Sequence, residues 1–205
     1  MAVRKIVFVG GPGLREKAQK VRQMDKSIEK LIDDMVETLH AANGIGLAAN
    51  QVGVPQRVIV VELPHDEEDP RSGKLYALIN PQITSFSQEL VASEEGCLSI
   101  PYYYGEVTRS DAVVIKGRDR RWREVKIKAQ GWLARVLQHE LDHLNGVLFI
   151  DRMENMDKLR YVPARTEAEV ETEAHHEAQA RRQHEGETGQ RADAETAPAP
   201  AVVAS

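Results

Sequence analysis

Gln138-His139-Glu140-Leu141-Asp142-His143 lies inside an apolar stretch, Trp132 to Asn145, that Gly131 opens and Gly146 closes. Leu133, Val136, Leu137, Leu141 and Leu144 spread over too wide an arc for a surface stripe, so the spacing predicts a helix through the middle of the domain. His139 and His143 are one turn apart on one face, where two imidazoles can take adjacent corners of a tetrahedral metal site. Glu140 falls beside them as a non-ligand, the place required of a carboxylate that takes a proton from a metal-activated water. A central apolar helix has little reason to bury two histidines and an acid without a task for them.

Working outward, Ile28, Leu31, Ile32, Met35, Val36 and Leu39 recur at helical spacing with Glu29, Lys30, Asp33, Asp34 and Glu37 opposite, which predicts an amphipathic N-terminal helix from Asp25 that Asn43-Gly44 ends. Between the helices the periodicity changes. Arg57 to Glu62, Leu75 to Ile79, Glu89 to Ala92, Ala112 to Lys116 and Glu124 to Ala129 read as strands. Pro64 to Gly73 is an acidic loop, and Gly117-Arg118-Asp119-Arg120 is expected to turn a hairpin. Strands between helices without regular βαβ alternation predict an α+β fold, with antiparallel sheets around the central helix.

Two imidazoles are an incomplete ligand set. Downstream candidates for a third are Glu154, Glu167, His175, His176 and His184, none of them in a structured context. Upstream is Glu94-Glu95-Gly96-Cys97-Leu98-Ser99, just after a strand. Cys97 is the single cysteine, so no intramolecular disulfide is possible, and a metal would hold its thiol as thiolate. The third cluster is Gly44-Ile45-Gly46-Leu47-Ala48-Ala49-Asn50-Gln51. It lacks the Gly-Lys-Ser/Thr ending of a phosphate loop, but its small residues allow close backbone approach, and Gln51 is a neutral donor suited to an oxyanion.

Charge divides the chain. The last 41 residues, from Arg165, hold nine acidic and four basic residues, which accounts for the whole formal charge of −5. All ten aromatic residues precede Arg165. The expected organisation is a catalytic domain over 1–164 and an acidic appendage over 165–205, helical in its first half or disordered. The longest apolar runs, such as Ile6 to Val9, fall far short of the roughly 20 residues that cross a bilayer, and Met1-Ala2-Val3-Arg4-Lys5 leads into no signal-peptide core. The expectation is a cytoplasmic protein without a membrane span.

Taken together, the three segments resemble the peptide deformylase family. That family is recognised by Gly-x-Gly-x-Ala-Ala-x-Gln, matched by Gly44 to Gln51; by Glu-Gly-Cys-Leu-Ser, matched by Glu95 to Ser99; and by Gln-His-Glu-x-Asp-His, matched by Gln138 to His143. The likeness runs from about Arg4 to Arg160. It implies a hydrolase that removes the N-formyl group from the methionine of new polypeptides and releases formate. It assigns one divalent metal to Cys97, His139 and His143, with Fe2+ expected and Ni2+, Co2+ or Zn2+ as replacements. Glu140 would be general base and then acid, and Gln51 with the backbone N–H of Leu98 would bind the oxyanion. Gly46 would offer its carbonyl to the substrate, and Ile45 would line the methionine pocket.

The implied partners are N-formylmethionyl nascent chains and, in passing contact, the ribosome, with neither DNA nor membrane. One departure stands after Ile100-Pro101, where Tyr102-Tyr103-Tyr104 occupies a rim at which some members carry a basic residue. A zinc endopeptidase using the same paired histidines, and a catalytically silent metal-stabilised module, are the competing readings.

Overall fold

The computed structural model describes residues 2–66 and 72–163. Helix α1 spans Lys26–Ala41 and starts where the Asp25 side chain accepts hydrogen bonds from the backbone N–H groups of Ser27 and Ile28 at 2.9 and 3.0 Å. Its buried face is Ile28, Leu31, Ile32, Met35 and Leu39, as the spacing predicts. It ends one residue past Ala41, and Asn43 takes a left-handed conformation, φ 49°. Strand β1 (Gly46–Ala48) follows, then a short 3-10 helix, Ala49–Val52, and strands β2 (Val58–Glu62), β3 (Leu75–Phe86), β4 (Leu90–Cys97), β5 (Ile100–Ser110), β6 (Ala112–Arg118) and β7 (Glu124–Gln130). Helix α2 (Gly131–Leu144), two further 3-10 turns (Phe149–Asp151 and Met156–Lys158) and strand β8 (Arg160–Tyr161) complete the described elements.

The architecture is α+β with antiparallel sheets, as expected. One sheet has the order β1-β2-β3-β6-β7 and the other β4-β5-β8, and every ladder in them is antiparallel. Strand β2 explains why Val58 to Val61 reads as an unbroken apolar run. Val58 and Val60 pack with Leu31, Met35 and Leu39 of α1, while Ile59 and Val61 pack with Leu133 and Leu137 of α2. The strand is therefore apolar on both faces because a helix covers each, and side chains alternate across a strand. A third cluster, Leu14, Ile100, Val107, Leu148 and Phe149, joins β5 to the segment after α2.

Three differences from the sequence reading have physical causes. Strand β3 continues through Pro81 to Phe86, with register shifts between Ile79 and Gln82 and between Ile83 and Ser85; irregular pairing accommodates a residue with no N–H to donate. Gly117 and Arg118 remain in β6. The turn comes later, where the Asp119 N–H donates to the Arg123 carbonyl at 2.9 Å and the Asp119 carboxylate accepts from the N–H groups of Arg121 and Arg123. Strand β5 was not expected at all. The acidic loop lies partly, and the region from Arg165 wholly, outside the described residues.

The N-terminal segment is fastened to α1 by one buried carboxylate. Asp34 accepts from Lys30 Nζ at 2.7 Å, from the Ala2 N–H at 2.9 Å and from Arg4 Nε at 3.1 Å. Lys30 first, then the Ala2 N–H and Arg4, outweigh partial desolvation and lower its pKa from 3.8 to about 2. A depressed carboxylate stabilises the fold above its unfolded pKa, and the gain is lost as pH falls through the folded value. Urea unfolding of wild type and Asp34→Asn should show a full stability gap above pH ~4 that closes towards pH ~2. A gap unchanged over that range would show that the charge contributes nothing.

Candidate active site

Helix α2 is entered from β7 through Gly131, at φ 60°. It is closed by Gly146, at φ 76°, where a Cβ would run into the Arg15 carbonyl. Within it His139, Glu140 and His143 are buried, at 9%, 3% and 1% exposure. The two Nε2 atoms approach to 3.2 Å, and the Sγ of Cys97, the last residue of β4, lies 3.2 Å from His143 Nε2. The ligand atoms of Cys97, His139 and His143 all lie within 4.8 Å of one another.

A tetrahedral ion with bonds of ~2.0–2.1 Å to nitrogen and ~2.3 Å to sulfur needs donor separations of about 3.3–3.6 Å. The donor set therefore fits one metal ion. Glu154, the remaining described candidate for a third ligand, is instead a hydrogen-bond partner of Thr108 near the surface. Glu167, His175, His176 and His184 lie outside the described residues.

The histidines are not equivalent. His139 Nδ1 is 2.9 Å from Glu95 Oε2, so Nδ1–H donates and the Nε2 lone pair is left for the metal. Glu95 also accepts from Arg109 Nε at 2.6 Å, Arg109 Nη2 at 2.9 Å and Arg135 at 2.7 Å. Burial alone would raise the Glu95 pKa, but His139 and Arg109 overcome it and bring it to about 2. Arg109 continues to Asp142 at 2.9 Å, and Asp142 accepts from Arg152 at 2.7 Å.

Burial would lower the His139 pKa, yet contacts with Cys97 and Glu95 raise it to about 10. Burial and the neighbouring His139 push His143 well below its ordinary value. Two imidazoles so close are not both imidazolium, because the positive charge on one disfavours it on the other. His143 is instead positioned through its backbone, since its carbonyl accepts from Asn50.

Glu140 packs its carboxylate against a glycine. A Cβ on Gly46 of β1 would collide with the Glu140 carboxylate and lie 2.9 Å from Val136 Cγ1. Burial, only partly offset by His139, raises the Glu140 pKa to about 7. Gln51 is fixed by its own neighbours. Its Oε1 accepts from the Ala48 N–H at 2.7 Å, which turns the amide nitrogen toward Ser99 Oγ at 3.2 Å and Cys97 Sγ at 3.6 Å. The Ser99 N–H points at the same sulfur from 3.4 Å.

A cleft of about 620 Å³ opens onto these groups. Ile45, Gly46, Gln51, Cys97, Leu98, His139 and Glu140 line it, so the predicted site residues meet at one place, with His143 behind them. What sequence reasoning missed is the charged support. Glu95 and Asp142 stand inside recognised segments, but Arg109 and Arg135 carry no local signal. They reach Glu95 across 14 and 40 residues.

A cysteine sulfur and two imidazoles converging beside a buried carboxylate define the class as a metal-dependent hydrolase. A family model described as "Polypeptide deformylase" matches residues 3–159. The peptide deformylase of Thermomicrobium roseum is 50% identical over 174 residues, covering 83% of this chain and 97% of its own. That of Pelotomaculum thermopropionicum is 48% identical over 159 residues, covering 78% and 97%.

Among solved structures, the actinonin complex of the Ehrlichia chaffeensis peptide deformylase superposes with a TM-score of 0.72 at 45% identity, covering 77% of this chain and 92% of that one. The Met-Ala-Ser-bound class I type b peptide deformylase of Acinetobacter baumannii gives 0.69 at 35%, covering 74% and 98%. The chain belongs to the polypeptide deformylase family.

The Glu95 contacts make a specific expectation. Glu95→Gln should weaken metal binding by ~10–100-fold, measured by competition with a chromophoric chelator, because His139 loses the partner that fixes its tautomer. The same variant should unfold at lower urea, since Arg109 keeps only Asp142 as a charged partner. Unchanged metal affinity would show that His139 needs no such support.

Proposed function

We propose that the chain hydrolyses the N-formyl group from the N-terminal methionine of newly synthesised polypeptides, giving formate and a free amine. The observation that carries the reading is the meeting of Cys97 and His139, with His143 behind them, and the Glu140 carboxylate and the Gln51 amide at one cleft. Cys97, His139 and His143 would hold one divalent metal. When bound, it supplies Lewis acidity to the formyl carbonyl and makes water a stronger acid.

Glu140 takes a proton from the water that attacks the formyl carbon, and returns it to the amine nitrogen as the C–N bond breaks. It suits this role because it is buried beside the ligands without being one, and one of its oxygens, Oε2, has no hydrogen-bond partner among the described residues. Gln51 Nε2 and the Leu98 N–H donate to the oxygen on which negative charge develops. An extended substrate would pair with the Gly46 carbonyl, and main-chain bonds of that kind read no sequence. Ile45 and Val136 offer the apolar wall for the methionine side chain.

Residues 1–164 then form the catalytic domain and 165–205 an acidic appendage to it. No helix among the described residues is long and apolar enough to cross a membrane. A substrate met as it leaves the ribosome places the protein in the cytoplasm, with transient contact with the ribosome and no role for DNA. An appendage of net charge −5 would be repelled by RNA phosphate, so such contact would fall to the catalytic domain or to basic ribosomal protein.

Formate release from formyl-Met-Ala-Ser by metal-loaded protein, abolished by chelator, is the expected result. Glu140→Ala should keep stoichiometric metal and lose at least ~100-fold in kcat. A metal-loaded wild type that releases no formate would overturn the assignment.

Ferrous iron is the metal we assign, on the strength of the family resemblance. A thiolate ligand beside iron is open to oxidation. The iron-loaded enzyme should therefore lose activity in air, while the nickel-loaded enzyme keeps it over the same hours. Equal persistence of both would count against iron as the working metal.

A further inference from the structure

The β4–β5 ladder is regular from Leu90↔Ser110 to Gly96↔Tyr104, and then breaks. The next pair is Cys97↔Ile100, so one step along β4 is matched by four along β5, and Pro101, Tyr102 and Tyr103 bulge out of the ladder. The bulge stands directly beside a residue placed in the metal site. At its centre Tyr102 has φ 70°, a left-handed conformation that is a genuine outlier for a bulky side chain. Its ring is not compensated by burial, since 47% of the residue is exposed.

The surrounding contacts nevertheless hold it in place. The Tyr102 carbonyl accepts from the Val162 N–H at 2.7 Å, and the ring meets Tyr161 edge-on with centroids 6.3 Å apart. Tyr161 of β8 also packs on Tyr103, at 5.3 Å. Tyr102, Tyr103 and Tyr104 line the same cleft as Gly46, Cys97 and Glu140. A bulge re-aims a side chain, and strain maintained at the mouth of a site points to a task there.

We propose that Tyr102, backed by Tyr161, is a specificity-determining residue that holds the part of the substrate beyond the methionine and favours aromatic or large apolar side chains there. The inference rests on the deformylase reading. Cys97 and Glu140 line one cleft together with Tyr102 to Tyr104, so the extended peptide would run from a formyl group at Glu140 toward that rim. Aromatic faces pay little conformational entropy to form such contacts and favour other rings in offset or edge-on geometry.

The test compares nickel-loaded full-length protein with Tyr102→Gly and Tyr102→Phe, using formyl-Met-Ala-Ser and formyl-Met-Ala-Phe. Binding of the deformylated products Met-Ala-Ser and Met-Ala-Phe is followed by calorimetry as a readout independent of turnover. Glycine takes the left-handed conformation freely, so Tyr102→Gly should melt no lower than wild type. Wild type should prefer the phenylalanine peptide several-fold, through KM rather than kcat, and bind its product correspondingly tighter.

Tyr102→Gly should bring both ratios close to one, and Tyr102→Phe should restore them. Ratios that survive in folded Tyr102→Gly, or a wild type without preference in either readout, would overturn the inference while turnover of formyl-Met-Ala-Ser left the deformylase reading standing. Failure of wild type to turn over either formyl peptide would overturn both.

Discussion

Everything at the site hangs from one buried carboxylate. Glu95 is shared by Arg109 of β5, Arg135 of α2 and the His139 ring, and Asp142 takes the remaining face of Arg109. Burying so many charges is expensive unless each finds its partner, and removing any one of them leaves another stranded. The network therefore constrains β4, β5 and α2 to a single arrangement. That arrangement brings a cysteine at a strand end to a helix carrying two histidines. Hydrophobic packing could tolerate small slips of α2 on the sheet. A carboxylate bonded in three directions tolerates them far less.

The two histidines show how differently a protein can fix identical side chains. His139 is oriented through its ring by Glu95, while His143 is oriented through its carbonyl by Asn50, a residue of the same short 3-10 helix that carries Gln51. Glu140 is placed by exclusion. The absence of a side chain at Gly46 is what makes room for its carboxylate. The proposed ligand, base and oxyanion positions thus trace to three segments, and each segment braces another: β1 with the 3-10 helix, the end of β4, and α2.

Much of this was legible in the chain because it depends on local spacing. The four-residue interval of the histidines, the apolar breadth of α2 and the small residues of Gly44 to Ala49 all act within a turn or a strand. Cys97 could be put forward as the third donor because two imidazoles are an incomplete set, and the fold does bring its sulfur beside them. The supporting arginines were hidden because their reason for being where they are lies elsewhere in the sequence. Strand β5 was hidden for a related reason. Pro101 and three tyrosines open it, and the bulge they form breaks the alternation by which a strand is read. The places where local reading failed are those where the backbone departs from regularity beside the site.

The sulfur donor belongs to one sheet, and the imidazole donors to a helix packed on the other. A bound ion is then a rivet across a seam between two separately packed layers. Oxidation of Cys97 would remove the proposed sulfur donor from that seam, while the Glu95, Arg109 and Asp142 contacts still hold β4 and β5 to α2.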